Sequence, residues 1–308
     1  MAFKSVDAQI NDLVQKNDDQ VLSNEQKRAE TLNKWKSGIL TESRKNRQPT
    51  PMASWLKDAP LRKLDETQIK NLLTQRDENG EPYDEPILRR MAQHIQKYEP
   101  LSEKYAADLE ELTKQFGGQM VGLEYRLKRP TSLYRKVMSD LKEQQANGNL
   151  NFGIEDSIKG MKDVARFTIA LNEDDDFGNN VINYMNAIKQ KGYTPIKFQN
   201  TMTPNASYKG INTNFRDPEG NIFELQFHTP SSMWRKERIG VDLANRTNTL
   251  DHRDLTSHDF YEATRVLEDK KRLGIITPEE EELLNILNEE NIKHWLGVRD
   301  YPDLKYDI

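Results

Sequence analysis

The run Arg126-Leu-Lys128-Arg-Pro-Thr-Ser132-Leu-Tyr-Arg135-Lys136 gathers the chain's most suggestive set of side chains. Residues 120–128 read as a strand, on which Arg126 and Lys128 share a face because alternate side chains point the same way. Pro130-Thr-Ser132 then stops the strand and opens a helix, where Ser132 and Lys136, four apart, lie on one side near the N-terminus. A strand end, a helix N-terminus and several cations at one turn make a seat for a polyphosphate. A solvated basic turn is the competing reading of the same residues.

Two carboxylates stand where strands would carry them together. Asp163 precedes the β-branched and aromatic run 164–171. Glu224 lies within 222–227, where Phe223, Leu225 and Phe227 form one face and Glu224, Gln226 and His228 the other. Carboxylates on adjacent strands suit magnesium, which takes one or two of them together with phosphate oxygens. A merely solvated strand face is the alternative. A third segment, Ser207-Tyr208-Lys209-Gly210-Ile211-Asn212, offers a ring for a base, a glycine for close backbone approach and an amide for a nucleotide edge. A core tyrosine beside a bulge is the plainer reading there.

The elements that must position these groups follow from periodicity. Residues 101–116 read as a helix ended by Gly117-Gly118, 132–145 and 177–191 as further helices, and 194–199 and 208–215 as strands. Asp217-Pro-Glu-Gly-Asn221 is a hairpin turn with the residues such turns require. Helices and strands therefore share one α+β unit with a mixed sheet, over residues 101–236. Residues 1–100 read as a polar helical or partly disordered arm, with weak helical spacing at Ile10, Leu13 and Val14 and again at Leu61, Leu64, Ile69, Leu72 and Leu73. Prolines at 49, 51 and 60 and the turn 77–80 punctuate it. Residues 237–308 read as a helical extension, in which Thr277-Pro278-Glu279-Glu280 is a capping box.

Composition narrows the classes. With 308 residues, only 35% hydrophobic and 31% charged, the chain suits one packed centre with solvent-rich attachments. A net charge of −5 gives no general attraction to nucleic acid, so a polyanion needs a local basic site. The absence of cysteine excludes disulfides and thiolate metal ligands. No apolar run suits a membrane span and the polar start is no signal peptide, so a cytoplasm-compatible protein with no membrane partner is expected.

Together these segments resemble the synthetase domain of the RelA/SpoT family, in particular its small toxin-like branch, over residues of about 119–236. The family's R-x-K-x-x-x-S-x-x-x-K element is matched by Arg126, Lys128, Ser132 and Lys136, and its aspartate before a strand by Asp163. Its Y-[RQK]-[GS]-[IV]-x element is matched by Tyr208 to Asn212, and its E-[IL]-Q-[IFV]-[RH]-T element by Glu224 to Thr229. All four occur in family order. The resemblance implies a nucleotidyltransferase-like mixed sheet with flanking helices. It also implies magnesium-dependent transfer of pyrophosphate from ATP to a ribose 3′-hydroxyl, with AMP leaving.

By the same resemblance, Arg126 would hold the ATP adenine, and Lys128, Ser132, Lys136 and Arg166 the phosphates. Asp163 and Glu224 would be the catalytic carboxylates that hold Mg2+. Tyr208 would stack on the acceptor base, with Asn212, Gln226 and His228 completing the acceptor pocket or the metal's surroundings. Alarmone synthetases usually carry histidine at the position of Asn212, which leaves guanosine nucleotides, adenosine nucleotides and the 3′ end of tRNA open as acceptors. Residues 1–100 hold no His-Asp pair of a hydrolase, since Ile95 follows His94. A lone synthetase suits a growth-inhibiting toxin acting in the cytoplasm, delivered by a secretion system or phage particle and neutralised by an antitoxin or immunity protein. A non-catalytic nucleotide or RNA binder, or a phage structural protein keeping the fold, is the alternative.

Overall fold

The Gln68 amide donates to Asp65 at 2.8 Å and the Asp65 amide to the Gln68 side chain at 3.2 Å, a reciprocal cap that opens helix α1, Glu66–Leu73. The computed structural model describes residues 26–31, 64–77, 81–237 and 256–308. They fall into two units, one of residues 49–258 and 292–308, the other of residues 1–48 and 259–291. The expectations for residues 10–14, for Leu61, for the prolines at 49, 51 and 60, and for most of the turn 77–80 lie outside the described residues.

Helix α2, Glu85–Phe116, begins at an Asp84 cap and runs through Pro100. The spacing predicts a start at residue 101, and the expected end of the polar arm therefore falls inside this helix. The reason is a continuous apolar stripe, Leu88, Met91, Ile95, Tyr98, Tyr105, Leu109 and Leu112, all buried. Between its members stand arginines, glutamines and lysines that give residues 85–100 a polar average. Pro100 removes one backbone hydrogen bond, and burial on both sides of it carries the helix across.

Strand β1, Gln119–Val121, precedes helices α3, Pro130–Ala146, and α4, Ile154–Gly160. Strand β2, Ala165–Ala170, helix α5, Phe177–Gln190, and strand β3, Thr194–Asn200, come next. Strands β4, Ile211–Arg216, and β5, Ile222–His228, form a hairpin, and helix α6, Pro230–Glu237, follows. The sheet order is β1-β2-β5-β4-β3, with β2 and β5 parallel and the other pairs antiparallel. This is the mixed α+β sheet that the periodicity predicts.

One face of the sheet is the core. Phe167 and Ile169 of β2, Phe223, Leu225 and Phe227 of β5, and Ile211 and Phe215 of β4 are at most 3% exposed. Tyr105 of α2 stacks on Phe223 with ring centroids 4.5 Å apart, and Tyr184 of α5 meets Phe227 at 5.5 Å. The Tyr105 hydroxyl donates to Asp217 Oδ2 at 2.5 Å, and the Asn221 amide donates to Asp217 Oδ1 at 2.7 Å. That aspartate fixes both the hairpin turn and its attachment to α2. With one face sealed by aromatics, period two turns the alternate residues of β2, β4 and β5 to the other face.

Helices α7, Ser257–Arg272, and α8, Pro278–His294, most of whose residues lie in the other unit, are joined through Gly274. The expected capping box is present: the Glu280 amide donates to Thr277 Oγ1 at 3.2 Å and the Thr277 amide to the Glu280 carboxylate at 3.0 Å. Lys270 pairs with Glu280, and Lys271 with Glu281 at 2.7 Å. No helix among the described residues is long and apolar enough to cross a membrane.

Candidate active site

The basic segment does not continue β1. Gly122 takes a left-handed conformation at φ 69°, and a 3-10 turn over Leu123–Tyr125 follows. Arg126 and Lys128 therefore do not share one strand face, contrary to the expectation from alternation over 120–128. The chain rejoins the sheet through a single antiparallel bridge, Leu127 to Ala165. There the Arg166 amide donates to the Arg126 carbonyl at 2.8 Å and the Lys128 amide to the Val164 carbonyl at 3.0 Å.

The consequences for the two cations differ. Lys128 is placed beside Asp163, and its ammonium pairs with Asp163 Oδ2. Arg126 is only 9% exposed, and its guanidinium turns to the Leu123 carbonyl at 3.0 Å and to Ser102 Oγ of α2 at 3.4 Å. Burial lowers its proton affinity below that of a free arginine. Helix α3 begins with Pro130 in its first turn, so Ser132 lies at the positive end of the helix. Lys136, one turn on, faces Asp140 at 3.5 Å.

The polar face of the sheet is built in rows. Arg166 of β2, Glu224 of β5 and Asn214 of β4 are register partners, followed by Thr168, Gln226 and Asn212. Asn214 is 5% exposed and donates to the Lys162 carbonyl at 2.9 Å, which holds the residue before Asp163 to the sheet. Asp163 and Glu224 thus meet at one end of the parallel pair. Burial first, and then the charge of Asp163, push the Glu224 carboxyl above the usual carboxylate range. Asp163 Oδ1 is buried and has no hydrogen-bond partner among the described residues. No group of three or more histidine and carboxylate side chains gathers among the described residues, so the pair stands alone. Asp163 Oδ2 is paired with Lys128, but its buried Oδ1 is left without a donor beside a second, desolvated carboxylate, and one or two such carboxylates are what magnesium takes from a protein.

Further along the same face lies an aromatic network. The spacing predicts a strand from residue 208, but β4 starts at Ile211, and Tyr208 sits in the loop before it. Its hydroxyl is 2.9 Å from His228 Nε2 and 3.2 Å from Asn212 Oδ1. His228 is fully buried, with Nδ1 2.8 Å from Ser232 Oγ of α6. Burial, reinforced by Lys236, holds its imidazole well below the ordinary pKa and therefore neutral at pH 7. A neutral histidine so enclosed positions the tyrosine. Gln226 accepts from Lys236 Nζ at 2.6 Å.

Gly210 is the steric condition for this network. A Cβ there would lie 2.7 Å from His228 Cε1 and 2.9 Å from the Tyr208 hydroxyl. Gly210→Ala is expected to displace one ring and cost about 1–3 kcal/mol of stability. Denaturant unfolding checks this, and unchanged stability would contradict it.

The sequence reading missed three contributors. Asn214 was within reach, because it is two residues from Asn212 on the same strand. Lys236 carries no local signal, being one charged residue in a charged helix. Trp295, fully buried, meets Tyr208 edge-on at 5.7 Å from the far end of the chain. The tail beyond it continues the same contact: Lys209 Nζ donates to the Val298 carbonyl at 3.1 Å and to Asp300 at 2.5 Å. Asn200 holds the Tyr301 and Leu304 carbonyls at 2.7 and 3.1 Å, and Tyr301 stacks on Phe177 at 4.5 Å. Residues 292–308 therefore belong with the sheet, not with a separate extension from 237 onward.

No protein-family model matches the chain, and no curated protein matches it. Among solved structures it is similar to the type VI effector Tas1, solved in complex with its immunity protein, at 18% identity, TM-score 0.44, over 67% of this chain and 95% of that one. It is also similar to the small alarmone synthetase 1 from Bacillus subtilis, at 14% identity, TM-score 0.32, over 68% and 92% of the two chains. A third is smu.1046c from Streptococcus mutans UA159, at 15% identity, TM-score 0.31, over 68% and 98%.

Proposed function

We propose that the chain is a RelA/SpoT-like nucleotide pyrophosphokinase that moves pyrophosphate from ATP to the ribose 3′-hydroxyl of an adenosine or guanosine nucleotide, or of a tRNA 3′ end, releasing AMP. The observation that supports this most is convergence on one face of one sheet. Lys128 pairs with Asp163, Asp163 acts on Glu224, and Glu224 shares its strand face with the Gln226 and His228 that reach Tyr208. Four separated segments meet there.

In this reading Lys128, Ser132, Lys136 and the N-terminus of α3 receive the ATP phosphates, with Arg166 as a further cation. Phosphate oxygens compete with Asp163 for the Lys128 ammonium and so free that carboxylate. Arg126 reaches the adenine only by leaving Ser102 and the Leu123 carbonyl. Asp163 and Glu224 hold magnesium, whose charge, when bound, offsets that developing on the transferring phosphoryl groups. Tyr208 stacks on the acceptor base, held by His228 and Asn212, so that the 3′-hydroxyl comes to the carboxylate end of the face. The proposed role is growth inhibition from within the cytoplasm, with an antitoxin or immunity protein as its counterpart.

Incubating the full chain with ATP, Mg2+ and, in parallel, guanosine nucleotides, adenosine nucleotides or tRNA tests the reading. AMP release that depends on one acceptor class is expected, read by chromatography. Absence of AMP with every acceptor would overturn it in favour of a nucleotide-binding role.

A further inference from the structure

We propose that Lys236 reads the charge of the acceptor, donating to a phosphate on the 5′ side of the acceptor ribose, so that the enzyme takes phosphorylated acceptors over free nucleosides. This rests on the pyrophosphokinase reading of the same face. The lysine comes from α6, whose start is fixed when the Ser232 amide donates to Thr229 Oγ1 at 3.2 Å. That start directs Lys236 back over β5, where its ammonium donates to Gln226 Oε1 at 2.6 Å and lies 3.5 Å from His228 Nε2. It stands 6.0 Å from the centre of the Tyr208 ring.

Two features of this placement point to an anionic ligand. Both hydrogen-bond neighbours are uncharged, and no carboxylate among the described residues lies within ion-pair distance of Lys236. Glu237 and Glu224 act on this largely enclosed ammonium only from beyond ion-pair distance, so its burial is costly, and an anion arriving there recovers that cost. One of its three protons also has no acceptor among the described residues. The second feature is position. An acceptor with its base on Tyr208 and its 3′-hydroxyl towards Glu224 must pass Lys236, since Gln226 stands between Glu224 and His228 on the strand. On such a molecule the group that matches a bare ammonium is the phosphate. A free nucleotide and the last phosphodiester of an RNA 3′ end both present that chemistry.

The test uses the full chain and Lys236→Gln, titrated calorimetrically with adenosine, ADP and a short RNA ending in adenosine. AMP release is measured with the same acceptors at saturating ATP. Native protein is expected to prefer ADP or the RNA over adenosine by about tenfold to a hundredfold, the range of a charge-assisted hydrogen bond. Lys236→Gln is expected to collapse that ratio towards one, and Lys236→Arg to restore part of it. Preference for ADP alone identifies the free nucleotide, and preference for the RNA alone identifies the polymer end. Equal loss of adenosine and ADP binding in Lys236→Gln would make the lysine a prop for Tyr208 and overturn the proposal. So would an unchanged ratio. A ratio that collapses in binding while native protein releases no AMP would support Lys236 as a phosphate reader and sink the pyrophosphokinase reading alone.

Discussion

Glu224→Gln is expected to lower AMP release by roughly a thousandfold or more, since on the proposed reading it removes one of the two carboxylates that would hold magnesium and with it several kcal/mol of transition-state stabilisation. The substitution keeps the side chain's shape and removes one charge. It leaves Asp163, paired with Lys128, without the second carboxylate at that end of the polar face. Folding should survive, because the native Glu224 is desolvated beside a like charge and a neutral amide relieves that repulsion. Denaturant midpoints at or above the native value, measured on the same preparations, separate a chemical loss from an unfolded protein. Expression of the native full chain in bacteria is expected to arrest growth, and Glu224→Gln to relieve the arrest. AMP release within tenfold of native would remove Glu224 from the metal site.

Trp295→Ala is expected to have the largest effect on stability, about 3–5 kcal/mol, the range for emptying a fully enclosed aromatic site. Trp295 is 0% exposed and packs edge-on against Tyr208 and against His294. Its loss leaves a cavity behind the tyrosine proposed to hold the acceptor base, so acceptor KM should rise while ATP KM changes little. Trp295→Phe should recover part of both effects. A loss under about 1 kcal/mol with unchanged acceptor KM would show that the tail is dispensable to the pocket. The same contacts bear on fragments: residues 100–240 alone lack the first half of α2 and the whole tail. Growth assays on such a fragment would report its folding before its chemistry.

The parts of the fold set by local periodicity were legible. Strands β2, β3 and β5, helix α5, the turn at 217–221 and the cap at Thr277 all fall where period and turn chemistry put them. So did the two faces of β5, because Phe223, Leu225 and Phe227 leave only one polar side. The parts set by a single residue's backbone, or by contacts distant in sequence, were not. Gly122 at positive φ ends β1 after three residues and turns Arg126 towards α2, which composition over 120–128 does not reveal. The first half of α2 hides its stripe among charged residues. Lys236 and Trp295 reach Tyr208 from elements whose own sequences carry no sign of a site.

The most direct measurement is the fate of pyrophosphate on a defined acceptor. The full chain is incubated with ATP and Mg2+ and with the preferred nucleotide or its 3′-deoxy analogue, and both products are followed by mass spectrometry and phosphorus NMR. Transfer through Lys128, Asp163 and Glu224 to a ribose hydroxyl is expected to give AMP in step with an acceptor bearing two added phosphoryl groups. The 3′-deoxy analogue should give neither. AMP and free pyrophosphate formed equally with both acceptors, or ADP in place of AMP, would contradict the assignment of this face as a pyrophosphokinase site.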